Sequence, residues 1–255
     1  MTSRNSLDEV NSATAGGVYA SVSCAAVPPL HLHPTAPLAE RVILPGDPGR
    51  ALLLAQSLLS EPKMFNHHRG LWGYTGEALD GRPLTIQSTG MGGPSTAIVI
   101  AELAELGART LVRAGTCGAL AESLGLGDLL VVTEAMAADG TSRALSGADR
   151  VAPDPNLLAR LLAARPGIAN GTVVSSDLFY DSADGAEEGW RDQGALAVEM
   201  ETATLFALAA RRGLRAASVL LVSDLVLPSR ARLEPEALHD GERALGELAL
   251  AAVRT

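Results

Sequence analysis

From Arg41 onward the sequence predicts an α/β fold: a single domain with a central, mixed and mostly parallel sheet flanked by helices. Three observations carry this. Short apolar runs rich in β-branched residues alternate with longer Ala/Leu-rich stretches. The runs are nearly continuous in hydrophobicity, as strands covered on both faces are. Polar and glycine residues gather where those runs end, in "PGDP", "TGMGGPS", "RAGTCG", "SSDLF" and "VSD".

The elements follow in order. "RVILPG" reads as a strand and "GRALLLAQSLL" as a helix. "HRGLWGYTGEALDGRPLTIQSTG" reads as hairpin strands joined by the "LDGR" turn. "PSTAIVIAELAELGA" is a helix with Gly107 just past its end. "RTLVRAG" and "GDLLVVTEAMA" are strands, "DPNLLARLLAAR" a helix opened by Asp-Pro, and "GTVVSSD" a strand. "ETATLFALAARRG" is a helix stopped by Gly213, "AASVLLVSD" a strand, and "PEALHDGERALGELALAAVR" the last helix. No repeat or internal linker interrupts this pattern. We therefore expect one domain over residues 28–255, preceded at 1–27 by a polar, Ala/Ser/Gly-rich leader expected to be disordered. In open α/β sheets a ligand lies outside the carboxyl ends of the strands, so five polar strand ends point to one site.

Composition narrows the chemistry. A formal net charge of −9 argues against nonspecific binding to nucleic acid or anionic membrane. Aromatic content of 3% is too low for a stacking platform along single strands. The two cysteines, Cys24 and Cys117, form no CxxC or Cys/His spacing, so neither zinc nor a disulfide framework is expected and a reducing cytoplasm fits. No apolar run approaches the roughly 20 residues that cross a bilayer.

Several residues need a chemical reason. Arg50 follows a turn that holds Pro45, Gly46, Asp47, Pro48 and Gly49, where a plain connection needs one glycine or proline. Arg69 lies in "NHHRG", and as with Arg50 the plain alternative is a solvated charge. Arg113 sits inside an apolar strand, and a buried guanidinium needs a structural carboxylate or a bound anion. The adjoining "GTCG" adds the Thr116 hydroxyl and glycine N–H groups, a combination suited to an oxyanion such as phosphate. "TGMGGPS" has glycines spaced too tightly for a dinucleotide fingerprint, and no P-loop lysine follows. Glu199 and Glu201 flank Met200 at a helix start, where a carboxylate favours the helix dipole or accepts hydrogen bonds from a cis-diol. Ser223 and Asp224 end a buried strand, and Asp224 there either caps a turn or acts as a general acid.

Taken together and in order, "LPGDPGRA", "HHRGLWGYTG", "TGMGGPS", "RAGTCGA", "SSDLFY", "VEMETA" and "VSD" resemble the blocks of the nucleoside phosphorylases that include bacterial purine nucleoside phosphorylase and uridine phosphorylase. The likeness runs from about Leu30 to the end. It implies that Gly46, Arg50, Arg113 and Thr116 bind phosphate. Arg69 resembles the arginine that a neighbouring subunit lends to the same phosphate. Met91, Met200 and Glu201 resemble the ribose contacts, and "LHL" resembles a segment whose histidine reaches the 5′ hydroxyl across the interface. His31 is the better match there, with His33 close by. Phe179, Val198, Glu199 and Ser223 resemble the base pocket, and Asp224 the residue that protonates or hydrogen-bonds N7 of a departing purine.

The resemblance thus implies a pentosyltransferase that cleaves nucleosides with inorganic phosphate as co-substrate. It implies no metal and no organic cofactor, and a cytoplasmic homo-hexamer built as a trimer of dimers with shared active sites. Uridine enzymes place a glutamine and an arginine shortly after the "FY" pair, and "FYDSADGAEEGW" has neither at that spacing, which favours purines. The alternatives are a uridine phosphorylase, or a hydrolase resembling methylthioadenosine/S-adenosylhomocysteine nucleosidase. In one respect the chain departs from the pattern: no arginine in "PEALHDGERAL" clearly matches the one that assists the aspartate in enzymes acting on 6-amino nucleosides. Arg230, Arg232 and His239 are loose candidates.

Overall fold

The computed structural model describes residues 29–180 and 183–254. The leader and Cys24 lie outside the described residues. The chain runs β1 (Arg41–Leu44), α1 (Pro48–Leu58), β2 (Leu59–Asn66), a 3-10 turn (His68–Gly70), β3 (Gly73–Ala78), β4 (Pro83–Gln87), α2 (Gly93–Leu106) and β5 (Thr110–Ala119). It continues with β6 (Leu129–Ala138), α3 (Gly140–Ser146), β7 (Arg150–Val151), α4 (Pro155–Ala164), β8 (Ala169–Ser176), α5 (Ala186–Asp192) and β9 (Ala195–Glu199). α6 (Thr202–Arg212), β10 (Arg215–Leu225), β11 (Ala231–Arg232) and α7 (Pro235–Val253) complete it.

Helix boundaries follow from local chemistry. Asp47 caps α1 by accepting from the N–H groups of Gly49 and Arg50, with Pro48 at its first position. Asp154 does the same for α4, ahead of Pro155. Gly107 and Gly213 end α2 and α6 in the left-handed conformation that residues with a Cβ disfavour.

The sheet is mixed, and its two longest ladders, β5–β10 and β6–β8, are parallel. The strand order is β11-β10-β6-β8-β9-β5-β1-β4-β3-β2, with β7 on β6. An additional β10–β5 pairing closes β5, β10, β6, β8 and β9 into a ring, from which β1, β4, β3 and β2 extend as an open sheet. Strand residues alternate between two cores, as a period of two requires. Leu111, Leu220 and Val222 pack with α2 and α6, whereas Val112, Val219 and Leu221 pack with α1, α4 and α7.

Two expectations change. "RAGTCG" and "VSD" lie within strands rather than after them, because β5 and β10 stay paired as far as Ala119 and Leu225, across a bulge between Val222 and Asp224. β2 was not foreseen. It is an edge strand whose middle, Ser60 to Met64, is exposed, so its sequence lacks an apolar alternation.

Candidate active site

The site originates in the pairing of β5. Along one edge β5 runs beside β10 throughout. Along the other it pairs with β1 up to Arg113 and with β9 only from Gly118. Between those partners, Ala114 to Cys117 face a crevice at a topological switch point, where α/β sheets bind ligands. A cavity of about 690 Å³ opens there, a size suited to a small organic substrate. All five polar strand ends reach it.

Two turns form one rim. Gly90 N–H donates to Gly46 O (3.0 Å) and Thr89 N–H to Pro45 O (2.9 Å), which ties "PGDP" to "TGMGG". A Cβ on Gly46 would sit 3.2 Å from the Gly90 carbonyl and 4.0 Å from Nη1 of Arg113, so glycine lets the turn close over that guanidinium. Thr116 and Met91 line the same cavity, Met91 being 83% exposed.

The floor is a buried charge cluster. Arg113 Nη2 lies 3.0 Å from Glu199 and 2.6 Å from Glu201, and its Nε donates to Glu199 (3.1 Å). Structural carboxylates therefore answer the question raised by a buried arginine. Glu199 also accepts from the Ser175 hydroxyl and from the N–H groups of Glu201 and Thr202 at the start of α6. Both of its oxygens are filled and its side chain is 1% exposed, so it braces Arg113 and α6 where it lines the cavity floor. Glu201 keeps a lighter set of partners, Arg113 and the Gly92 N–H. Burial pushes its carboxyl above the usual range, against the pull of Arg113. Met200, between them, lines the cavity.

Arg50 is buried at the start of α1, where its Nε donates to Glu242 of α7 (2.8 Å). Arg113 Nη1 and Arg50 Nη2 donate to no protein group among the described residues. Two unspent guanidinium arms thus remain beside the Gly46 turn.

The other wall comes from β10 and β11. Asp224 pairs across the strands with Arg232, whose Nε lies 2.9 Å from Oδ1, while the Ser223 hydroxyl donates to Oδ2 (2.7 Å). Sequence reasoning left Arg232 as one loose candidate and did not place it on a strand. Arg230, one residue before β11, also lines the cavity. Phe179, 47% exposed, and Val198 give an apolar surface. Glu187 and Trp190 of α5 were missed altogether, although their i, i+3 spacing in "AEEGW" puts both on one helix face. Cys117 is buried at the cavity's edge, and burial pushes its thiol up, away from the reactive thiolate.

His31 and Arg69 do not line this cavity; the structure brings them to another surface. Glu102 of α2 accepts from the N–H groups of Leu30 (3.0 Å), His31 (3.0 Å) and Leu32 (2.7 Å), and its Oε1 lies 2.7 Å from Nδ1 of His31. Burial raises the Glu102 carboxyl, but these hydrogen bonds outweigh it and hold the group below the usual range. Arg69 sits at φ 59° in the 3-10 turn. His33 stacks on His68 at 3.8 Å, and His68 is surrounded by His31, His33, His67 and Arg69.

Comparison with known proteins matches residues 40–254 to the family model described as the phosphorylase superfamily. A guanosine phosphorylase of Halorubrum lacusprofundi is 40% identical over 188 residues, 72% of this chain and 77% of that protein. A DeoD-type purine nucleoside phosphorylase of Geobacillus kaustophilus is 38% identical over 200 residues, 76% and 84% of the two chains. Among solved structures, a uridine phosphorylase of Vibrio fischeri superposes with a TM-score of 0.76 at 29% identity, covering 85% of this chain and 91% of that one.

Proposed function

This chain belongs to the phosphorylase superfamily, and on that premise we propose that it is a purine nucleoside phosphorylase, a pentosyltransferase that converts a purine nucleoside and phosphate into free base and pentose-1-phosphate. The observation that carries the reading is the pair of unspent guanidinium arms, on Arg50 and Arg113, beside the Gly46 turn and Thr116, in one cavity with Glu201 and Asp224.

Phosphate lies between those arms and the Gly46 and Thr116 groups, where its dianion meets two cations held in fixed places. Glu201 accepts from the 2′ and 3′ hydroxyls, with Met91 and Met200 against the sugar. The base stacks near Phe179 and Val198. As the bond from C1′ to the base nitrogen breaks, its electron pair passes to the base and a phosphate oxygen closes on C1′. Asp224, oriented by Ser223 and Arg232, gives a proton or hydrogen bond to N7 and so stabilises the leaving base. Bringing phosphate and sugar together in one site replaces a bimolecular encounter, an effect worth up to roughly 7–11 kcal/mol. The reaction as written uses no metal and no organic cofactor.

We place His31 and Arg69 in the site of a neighbouring copy. Their shared surface, outside the cavity of their own chain, supports a dimer that exchanges these residues, within a cytoplasmic hexamer. Incubation with inosine, guanosine, adenosine and uridine, each with and without phosphate, tests the function by release of free base. Purine release that requires phosphate is the expected result. Release without phosphate identifies a nucleosidase, and release from uridine alone identifies a pyrimidine enzyme.

A further inference from the structure

We infer that Glu242 of α7 is a positioning residue for the phosphate co-substrate: from behind the cavity wall it accepts the hydrogen bond of Arg50 Nε and so aims the free arm of that guanidinium at the anion. This rests on the phosphorolysis reading above and assigns to the same site a residue that does not itself touch substrate.

Arg50 needs such a partner. It stands in the first turn of α1, where the positive end of the helix dipole disfavours a cation. It is buried, and a buried guanidinium left unpaired is costly. Among the described residues it has one carboxylate in ion-pair reach, Glu242, at 2.8 Å from Nε. The other protein contact of its guanidinium, from Nη1 to the Ala114 carbonyl, is 3.5 Å long, at the outer limit of hydrogen bonding. Arg113 is held differently, by Glu199 and Glu201 together. Glu242 is therefore the one firm anchor of Arg50, whereas the second arginine at the phosphate end does not depend on it.

α7 is shaped to deliver this carboxylate. Glu242 is buried, and Gly241 and Gly246 stand close to it within the helix, although glycine weakens a helix interior. A Cβ on Gly241 would lie 2.8 Å from Leu221 of β10, and one on Gly246 would collide with Leu54 of α1. With no Cβ at either point, α7 seats against both elements and brings Glu242 to Arg50.

Stability alone does not account for the pair, because replacing a buried ion pair with packed apolar side chains is often neutral or stabilising. Nor does charge. Three carboxylates, Glu199, Glu201 and Glu242, face the two guanidinium groups, so the third negative charge works against a dianion. What Glu242 supplies is orientation. It fixes Arg50 at Nε before phosphate arrives, so the anion does not have to order a long side chain, a step that lowers affinity.

The test measures kcat, the KM for phosphate and the KM for the purine nucleoside that wild type turns over fastest, with phosphate Kd by titration calorimetry. The variants are Glu242→Ala, Glu242→Asp and Glu242→Gln. Alanine removes the acceptor, aspartate keeps the charge but draws the acceptor back by one methylene, and glutamine keeps an acceptor oxygen without the charge. The alanine and aspartate variants should raise the KM and Kd for phosphate roughly 3- to 10-fold, with the nucleoside KM within about twofold of wild type. The glutamine variant should stay within about twofold of wild type in phosphate affinity. Unchanged or tighter phosphate binding in the alanine and aspartate variants overturns the inference, because charge alone predicts that direction. So does a glutamine variant as impaired as the alanine one, or a nucleoside KM that rises in step with that for phosphate, the mark of a merely structural role. If the alanine variant does not fold, the other two decide by the same criteria. Base release without phosphate, in a wild type that still binds phosphate, refutes phosphorolysis and leaves the Kd series to judge Glu242. A wild type that neither needs nor binds phosphate overturns both.

Discussion

Replacing Glu199 with glutamine should destabilise the protein even though the side chain keeps its shape. The carboxylate receives Arg113 Nε and Nη2, the Ser175 hydroxyl and the N–H groups of Glu201 and Thr202, and its side chain is 1% exposed. An amide offers one oxygen to these donors and turns its own NH2 toward the rest. At least two donors lose their acceptor, at about 1–3 kcal/mol each, and a buried ion pair is broken, an event that costs about 3–5 kcal/mol when its partner stays charged. Arg113 retains Glu201 at 2.6 Å, which offsets part of the loss, so a net of about 3 kcal/mol is expected. For a chain of this size each kcal/mol moves Tm by about 2–4 °C, giving a fall of about 6–12 °C by calorimetry. The KM for phosphate should rise as well, because Arg113 loses the brace that aims its free arm. A Tm within about 2 °C of wild type would refute the account of Glu199 as the structural anchor of the floor.

Two carboxylates, half-buried Asp80 and buried Glu201, should respond to pH in opposite directions. The hydrogen bond from Arg41 holds Asp80 below its ordinary 3.8, with contacts of 2.5 Å to both nitrogens. Its stabilisation is present above 3.8 and is lost as pH falls through the lower folded value. Asp80→Asn should therefore cost about 3 kcal/mol near neutral pH, with the two Tm curves converging as pH falls below 3.8; parallel curves would contradict the pairing. Glu201 is raised above 4.5 by burial, so its ionisation in the fold carries a cost that is absent below 4.5 and grows as pH rises through the elevated value. The Tm of Glu201→Gln relative to wild type should climb as pH rises above 4.5, while kcat/KM falls roughly 100-fold through loss of the sugar contacts. A difference in Tm that stays flat or declines over that range would exclude a strained carboxylate.

Much of this was legible in the residues. Helices announced themselves through Asp-Pro starts and glycine stops, and the buried strands through unbroken apolar runs, since both signals are local. The cavity followed from the polar strand ends, without any side-chain geometry. What stayed hidden depended on pairing. Whether Arg113 met carboxylate or anion was open until β9 brought Glu199 beneath β5. The same placement explains why Glu199, which lines the cavity, has both oxygens engaged by the floor. Arg232 could not be tied to Asp224 because a two-residue strand has no periodicity to detect. Short α5 hid Glu187 and Trp190 for the same reason: seven residues are too few for a helical pattern to stand out against a loop.

The double partnership of β5 has a consequence for how the molecule can breathe. Enclosed by β10 on one edge and by β1 and then β9 on the other, it cannot be peeled from a sheet margin. Its amide protons, at Leu111 and Val112 above all, should exchange with solvent only when the whole chain opens, whereas those of α5 and β11 should exchange through small local excursions. The anion-gripping floor and the base-reading walls would then fluctuate on separate clocks. Catalytic positioning would be inherited from the global fold, and the choice of base would be left to segments free to adapt.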